Sequence, residues 1–196
     1  MIYGSVTLCD ADSRATGAYP TSAFDPHAML PWANMFNQSM FFHRRVFEAG
    51  HLLDQRLHHY IDHDFFWRLV VAGYEFQYCE GVGAVFRLHD EAKGSTQHEV
   101  AARELYALYE RLHRESALSA GVRRKALVCL RNHCIDQFGK SRWPLFEQFT
   151  ADLRRTVGVR GLGVNLGLRR LAACLGPDTI ARFRRLKHLI RKPGEA

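Results

Sequence analysis

The 196-residue sequence has few cysteines, and their spacing suggests neither a disulfide framework nor a structural metal site. The five cysteines are odd in number, lie far apart and include no Cys-x-x-Cys pair. The sequence also lacks an uncharged apolar run of about 18 residues and a basic-then-apolar leader at the N-terminus. We therefore expect a soluble or peripheral protein of the reducing cytoplasm.

The first three quarters of the chain have no excess of positive charge. Residues 1–150 contain 16 basic and 17 acidic side chains, whereas residues 151–196 contain 11 basic and 3 acidic ones. The net charge of +7 therefore belongs to the C-terminal region, which argues against nucleic acid as a partner of the whole chain. A hydrophobic content of 47% with 24% charged residues predicts a globular protein with a packed core.

Residue patterning divides the chain into a mixed α/β first half and a helical second half. Strands are predicted at Ile2–Cys9, Ser39–Phe42, Glu75–Cys79 and Gly83–Leu88, and short helices at Arg44–Ala49 and Asp62–Ala72. Longer helices are predicted at Gln97–Glu115, Ala120–Phe138, Trp143–Thr156, Val164–Leu175 and Asp178–Arg191. The expected organisation is a sheet-containing region over 1–96, a helical extension over 97–177 and a basic tail helix over 178–196.

The predicted tail helix has an apolar side and a strongly basic remainder. Its apolar side contains Ile180, Phe183, Leu186, Leu189 and Ile190, and arginines and lysines cover most of the rest. Such a helix suits an anionic membrane surface at the inner face of the membrane. The alternative is a terminal helix that packs its apolar side on the body of the protein. A non-catalytic module that docks to a membrane or an acidic partner through this tail is one hypothesis for function.

The densest group of reactive side chains is His58–Asp64, immediately before a predicted helix. In one interpretation, Asp62 and Asp64 only complement the unpaired N–H groups of the helix N-terminus. In a second, His58, His59, His63 and Asp64 bind a metal ion, as in HD-type metal-dependent hydrolases. In a third, Asp62 is a general base that accepts a proton from a substrate hydroxyl. Residue chemistry alone does not rank the second and third.

Four segments in chain order carry a resemblance to a known family. They are Ile2-Tyr3-Gly4-Ser5, Asn37-Gln38-Ser39-Met40-Phe41-Phe42-His43-Arg44-Arg45, Asp62-His63-Asp64-Phe65-Phe66-Trp67-Arg68-Leu69 and Phe86-Arg87-Leu88-His89. The series resembles the C-terminal half of the catalytic domain of family 2 glycosyltransferases, which are inverting enzymes of the GT-A type, over about Met1–Glu104. The resemblance implies an α/β fold with a partial GT-A mixed sheet, followed by an α-helical C-terminal region. The Asp10-Ala11-Asp12 segment imitates a metal-binding DxD motif, but its position predicts a hairpin turn.

The resemblance also implies an activity. It implies transfer of a sugar from a nucleotide-sugar donor to a saccharide or lipid-linked acceptor, as in the synthesis of cell-envelope polysaccharides. Asp62 would be the general base on the acceptor side. His89 would contact a divalent cation, Mg²⁺ or Mn²⁺, or the donor phosphates, and Arg87 and Lys93 would add positive charge near these phosphates.

Further residues of the matching segments are candidates for substrate contacts. Asn37, Gln38 and Ser39 either line an acceptor pocket or cap the adjoining strand. Trp67 either stacks on a sugar or belongs to the core, and Asp64 either orients a neighbour or caps the helix.

The sequence departs from the family pattern at several positions. Ile61 stands where a glutamate often precedes the catalytic aspartate, Ser5 stands where an aspartate is common, and residues 50–54 replace a glycine-phenylalanine-aspartate turn. No segment resembles the nucleotide-binding half that carries the family's DxD motif and most of its cation ligands. We therefore expect the chain to be a fragment, from a truncated reading frame or a split gene, that transfers no sugar by itself.

Overall fold

The computed structural model of the chain describes residues 1–19, 21–30, 35–87 and 98–174. These residues form a mixed α/β structure with two compact units, Met1–Leu130 and Arg131–Ala196. The strands are β1 (Ile2–Cys9), β2 (Ala15–Tyr19), β3 (Met40–Phe41) and β4 (Gln77–Arg87). The helices are α1 (Arg45–Glu48), α2 (Ile61–Val71), α3 (His98–Arg114), α4 (Ala120–Gly139), α5 (Trp143–Gly161) and α6 (Val164–Cys174).

Strand β1 is the centre of a mixed four-stranded sheet. Strand β4 runs parallel to it along one edge, with Ile2 opposite Gln77 and Cys9 opposite Arg87. The antiparallel strands β2 and β3 share the other edge, with β3 pairing at the start of β1 and β2 at its end. The buried residues of β1 are Tyr3, Gly4, Val6 and Cys9. The predicted mixed α/β class is therefore confirmed.

The turn between β1 and β2 is a hairpin, as the sequence predicts. The Asp10 N–H donates to the Arg14 carbonyl at 3.0 Å, and the Arg14 N–H donates to Asp10 Oδ1 at 2.9 Å. Ser13 adopts a positive φ of 66°, which reverses the chain. Asp12 pairs with the Arg14 guanidinium at 2.7 Å, so the DxD-like segment serves the turn.

Strand β4 differs from the prediction of two separate strands. It is continuous over 11 residues, and the register of its pairing with β1 shifts between Tyr3 and Ser5. Pairing with β1 on both sides of the shift keeps the backbone of Gly81 and Gly83 within one strand, although glycine-rich sequence favours a break.

The helices before residue 97 end where the sequence predicts. Gly50 and Gly73 adopt φ values of 82° and 80° directly after α1 and α2, a conformation that side chains with a Cβ rarely adopt. Helix α2 buries Phe65, Phe66 and Leu69 in the core of the first unit.

Helix α3 belongs to the same compact unit as the sheet, and the division between the two units falls within α4. In the second unit, the rings of Phe138, Trp143 and Phe146 pack together, with centroids 5.1 Å from Phe138 to each of the others. Helix α5 extends beyond the predicted end at Thr156, with a kink at Gly158. The predicted tail helix Asp178–Arg191 lies outside the described residues.

Within the described ranges, no helix combines the length and the apolar character needed to cross a membrane.

Candidate functional site

Asp62 lies in the first turn of α2 and is half-buried. Its Oδ1 accepts the His63 N–H at 2.8 Å, and within the described part of the chain no donor reaches Oδ2. Its negative charge helps to raise the pKa of the hydroxyl groups of both Tyr19 and Tyr60. Burial raises the pKa of Tyr19, and the charge of Asp62 raises it further. One carboxylate oxygen of Asp62 is thus left for a ligand, beside two tyrosines.

His63 packs its ring against Tyr60, with the centroids 5.8 Å apart. Burial lowers the pKa of His63 because the charged imidazolium is poorly solvated there, and the charge of Asp62 opposes the shift only in part. The imidazole next to Asp62 is therefore neutral near pH 7.

Asp64 has a different environment, although it is only two residues from Asp62. Its side chain is 8% exposed, and its two oxygens accept hydrogen bonds from Arg68 Nε at 2.7 Å and from an Arg111 terminal nitrogen at 2.5 Å. In addition, a terminal nitrogen of the Arg68 guanidinium donates to the Leu52 carbonyl at 2.7 Å. Asp64 therefore ties α2 to α3 and to the loop after α1, and both of its oxygens are used within the protein.

Glu104 of α3 binds the segment that leads into α2. Its Oε1 accepts the His58 N–H at 2.7 Å, and its Oε2 accepts the N–H groups of His59 and Tyr60 at 2.8 and 3.0 Å. Burial alone would raise the pKa of Glu104, but the N–H groups of Tyr60, His58 and His59 outweigh it and hold this pKa below its usual range. Glu104 thus satisfies three successive backbone donors immediately before α2.

The acceptor-side candidates of the sequence divide into two groups. Asn37 and Gln38 are exposed in a 3₁₀ turn, Asn37–Ser39, immediately before β3. Ser39 is fully buried, and its hydroxyl donates to the carbonyl of Gly4 or Phe36, at 3.0 and 3.1 Å. Ser39 therefore fastens the turn to β1, whereas Asn37 and Gln38 are accessible to a ligand.

Trp67 lies in the core with no exposed surface, so its ring cannot stack on a sugar in this conformation. Its indole nitrogen is buried without a hydrogen-bond partner among the described residues.

An open depression of about 690 Å³ lies at the carboxyl ends of β1 and β4. Its lining residues are Cys9, Ala11, Ser13, Val85, Phe86 and Arg87. The Arg87 guanidinium is exposed and donates to the Ser13 hydroxyl at 2.8 Å. The carboxyl ends of parallel strands are the usual location of ligands in open α/β sheets, and a guanidinium there can bind phosphate.

A chain of aromatic rings links this depression to the surroundings of Asp62. Phe86 of the depression contacts Phe36, and Phe36 contacts Tyr19, with centroid distances of 5.0 and 4.5 Å. Tyr19 is the residue whose hydroxyl is influenced by the charge of Asp62. Tyr19 and Phe36 thus connect the surroundings of Asp62 with Phe86, the neighbour of Arg87 in β4.

Two predicted phosphate or cation contacts, His89 and Lys93, lie outside the described residues. Across the described ranges, no group of three histidine, cysteine, aspartate or glutamate side chains could hold a metal ion. In the histidine-rich segment, the backbone N–H groups of His58 and His59 bind Glu104, and both Asp64 oxygens bind arginines.

Sequence reasoning missed Glu104, Arg111 and Tyr19. Glu104 and Arg111 lie on an amphipathic helix rich in charged residues, where each resembles an ordinary solvated side chain. Tyr19 ends a strand that the sequence did not predict. A weak signal was the tyrosine at the end of the alternating segment Ala15–Tyr19.

Comparison with known proteins gives no family assignment, because no family model, no curated protein and no solved structure matches the chain.

Proposed function

We propose that the chain is the acceptor-side half of an inverting, nucleotide-sugar-dependent glycosyltransferase with a partial GT-A sheet. The acceptor would be a saccharide or a lipid-linked saccharide at the inner face of the membrane. The sequence motifs of the first unit support this proposal, as does the mixed sheet that carries them. The parallel pair β1 and β4 supplies the strand ends at which α/β proteins bind ligands.

The observation that carries the proposal is the difference between the two aspartates of α2. Asp64 is buried and each of its oxygens is bound to an arginine, so it serves as an ion-pair partner within the protein. Asp62 is half-buried, and one of its oxygens has no donor among the described residues. A general base needs such an oxygen within hydrogen-bond reach of the acceptor hydroxyl.

In the proposed reaction, the acceptor oxygen attacks the anomeric carbon as the bond to the nucleoside diphosphate breaks. The hydroxyl proton passes to Asp62, and the diphosphate leaves on the opposite face of the sugar with the electrons of the broken bond. Arg87, at the mouth of the depression, would bind a phosphate of the departing group. Asn37 and Gln38 would hydrogen-bond acceptor hydroxyls.

The described residues do not fit a divalent cation, because they contain no group of three suitable ligands. We therefore assign no step of the reaction to a cation in this part of the chain. In this proposal, the cation, Mg²⁺ or Mn²⁺, would be bound by a nucleotide-binding half that carries a DxD motif. His89 would be a further ligand from this chain.

The test begins with the coding DNA upstream of Met1, where an in-frame segment with a DxD motif is expected. The joined protein is then incubated with labelled nucleotide sugars and membrane lipid extract, with the 196-residue chain assayed in parallel. Transfer by the joined protein alone is the expected result. Turnover by the isolated chain would contradict the assignment as a half-enzyme.

The Asp62→Asn variant of the joined protein should lose turnover while it still binds the nucleotide sugar. Asp12→Asn is the matched control, because Asp12 is an exposed turn aspartate with an arginine partner. Retained turnover in Asp62→Asn would exclude Asp62 as the base.

A further inference from the structure

The corner between α5 and α6 presents aliphatic side chains to solvent. Val159, Val164 and Leu168 are 64%, 81% and 59% exposed. Val164 and Leu168 are four residues apart on α6 and so lie on the same face of that helix. Exposure of these apolar groups to water is unfavourable, and another surface that covers them would remove this cost.

Two glycines, an arginine and a buried leucine define the conformation of the corner. Gly158, at the kink within α5, and Gly163, between α5 and α6, adopt φ values of 70° and 76°. The Arg131 guanidinium donates through Nε to the Gly161 carbonyl at 2.8 Å and through a terminal nitrogen to the same oxygen. Leu162, between the two exposed valines, is only 5% exposed. Burial of Leu162 and the Arg131 contact thus keep Val159 and Val164 pointing outwards.

Positive charge surrounds this corner. Arg160 is exposed between the two valines, and Arg154 and Arg155 are exposed on the preceding turn of α5. Residues 131–174 contain eight basic and three acidic side chains. Two of the three acidic side chains form ion pairs, Asp136 with Lys140 and Asp152 with Arg155. The surface therefore attracts anionic surfaces.

We infer that the α5–α6 corner is an interfacial membrane-binding site, which inserts Val159, Val164 and Leu168 among the lipids of an anionic bilayer while Arg160 contacts phosphate headgroups. Exposed aliphatic groups flanked by arginines are the composition of interfacial membrane sites. Protein-binding hot spots instead contain aromatic anchors, and the exposed positions of this corner contain none. The inference is independent of sugar transfer, and none of its residues belongs to the predicted tail helix.

The test is co-sedimentation of the full chain with vesicles of phosphatidylcholine alone or of equal parts phosphatidylcholine and phosphatidylglycerol. Binding to the anionic vesicles only is expected. The combined variant Val159→Ser, Val164→Ser and Leu168→Ser should weaken partitioning by about tenfold or more. The matched control changes three exposed apolar residues of the first unit, Leu53→Ser, Val100→Ser and Val128→Ser, and should bind as the unchanged chain does.

The inference is overturned if the unchanged chain does not bind anionic vesicles, or if the corner variant binds them as well as the control does. The second result would assign binding to another surface such as the tail. Far-ultraviolet circular dichroism verifies the fold of each variant. Arg160→Glu, which keeps the apolar residues, should also reduce binding.

A reporter distinguishes insertion from mere proximity. In the Val164→Trp variant, tryptophan emission should shift to shorter wavelength with anionic vesicles, and brominated lipids should quench it. Val128→Trp, on the first unit, should show neither effect. An already blue-shifted Val164→Trp emission without vesicles, reversed by removal of residues 178–196, would instead show that the tail covers the corner and would overturn the inference.

Discussion

The carboxylate of Glu104 accepts the backbone N–H of Tyr60 at 3.0 Å across 44 residues of sequence. Tyr60 immediately precedes α2, whose first turn carries Asp62. Because the same carboxylate also binds the N–H groups of His58 and His59, a side chain of α3 determines the conformation of the backbone that presents Asp62. The candidate base is therefore positioned by a contact that no local sequence feature indicates.

Replacement of Glu104 should loosen this segment. Glu104→Ala leaves three backbone N–H groups without their acceptor, so the free energy of unfolding should fall by about 1–3 kcal/mol. Glu104→Gln retains one acceptor oxygen and should lose less. Urea denaturation measures both, with Glu99→Ala as the control because Glu99, on the same helix, forms an exposed pair with Arg103. Equal stabilities of Glu104→Ala and Glu99→Ala would refute the structural role of Glu104.

His63 should make stability depend on pH below neutrality. Its pKa is lowered by burial in the folded state, so the unfolded chain binds the proton first as the pH falls below the ordinary value of 6.5. The stability that the folded chain owes to a neutral His63 is fully present above pH 6.5, and it is lost as the pH falls towards the lowered folded-state pKa. His63→Gln should therefore lose less stability than the unchanged chain between about pH 7 and pH 5. Urea unfolding across this range measures the effect, and the exposed His98→Gln is the matched control.

The two aspartates of α2 should respond to amidation by very different amounts. Asp64→Asn removes a buried charge that neutralises two arginines, and it should cost about 3 kcal/mol of unfolding free energy. Asp62→Asn removes a half-buried carboxylate with one backbone partner and should change stability by no more than about 1 kcal/mol. Thermal and urea denaturation of both variants provide the comparison. A large loss in Asp62→Asn would identify Asp62 as a structural residue.

Two glycines of the second unit should respond with opposite sign to substitution by alanine. Gly158 has φ 70° and ψ 176°, a conformation open essentially to glycine alone, so Gly158→Ala should destabilise by about 1–3 kcal/mol. Gly167 lies within α6 with open space where a Cβ would be, so Gly167→Ala should stabilise by about 0.5–1 kcal/mol. Melting temperatures of the two variants measure the difference. A stabilised Gly158→Ala would show that the α5 kink is absent in solution.

The thiols should differ in reactivity. Burial raises the pKa of Cys134 to about 12, so almost no thiolate forms there near pH 8. Cys79, on β4, is partly exposed. Iodoacetamide should therefore modify Cys79 in the folded chain, whereas Cys134 should react only in denaturant, as measured by mass spectrometry of the peptides. Rapid labelling of Cys134 in native buffer would contradict the packing of α4.

Much of the local structure was predictable because its signals lie close together in the chain. Strand β1 has the predicted bounds, and the helix ends at Gly50 and Gly73 follow from a backbone conformation that favours glycine. The continuous β4 and the short strand β2 were not predicted. Both depend on pairing with β1, and pairing partners are not encoded in the periodicity of a single strand.

The candidate site was predictable only as a list of residues. The sequence indicated Asp62, Asp64, Ser39 and Trp67 without separating accessible from structural side chains. Burial and partners separate them: Ser39 and Trp67 lie in the core, and Asp64 binds Arg68 and Arg111.

The sequence by itself determined the α/β class of the chain, the hairpin after β1, most helix ends and the concentration of positive charge towards the C-terminus. These properties depend on neighbours within a few residues or on composition. Only the tertiary structure decided which aspartate of α2 has an oxygen without a donor among the described residues. That outcome depends on Arg111 and Glu104, which are more than 40 residues away and contact α2 or the segment before it only after α3 packs there. Burial makes these contacts strong, because a carboxylate removed from water must be matched by donors that the fold itself supplies.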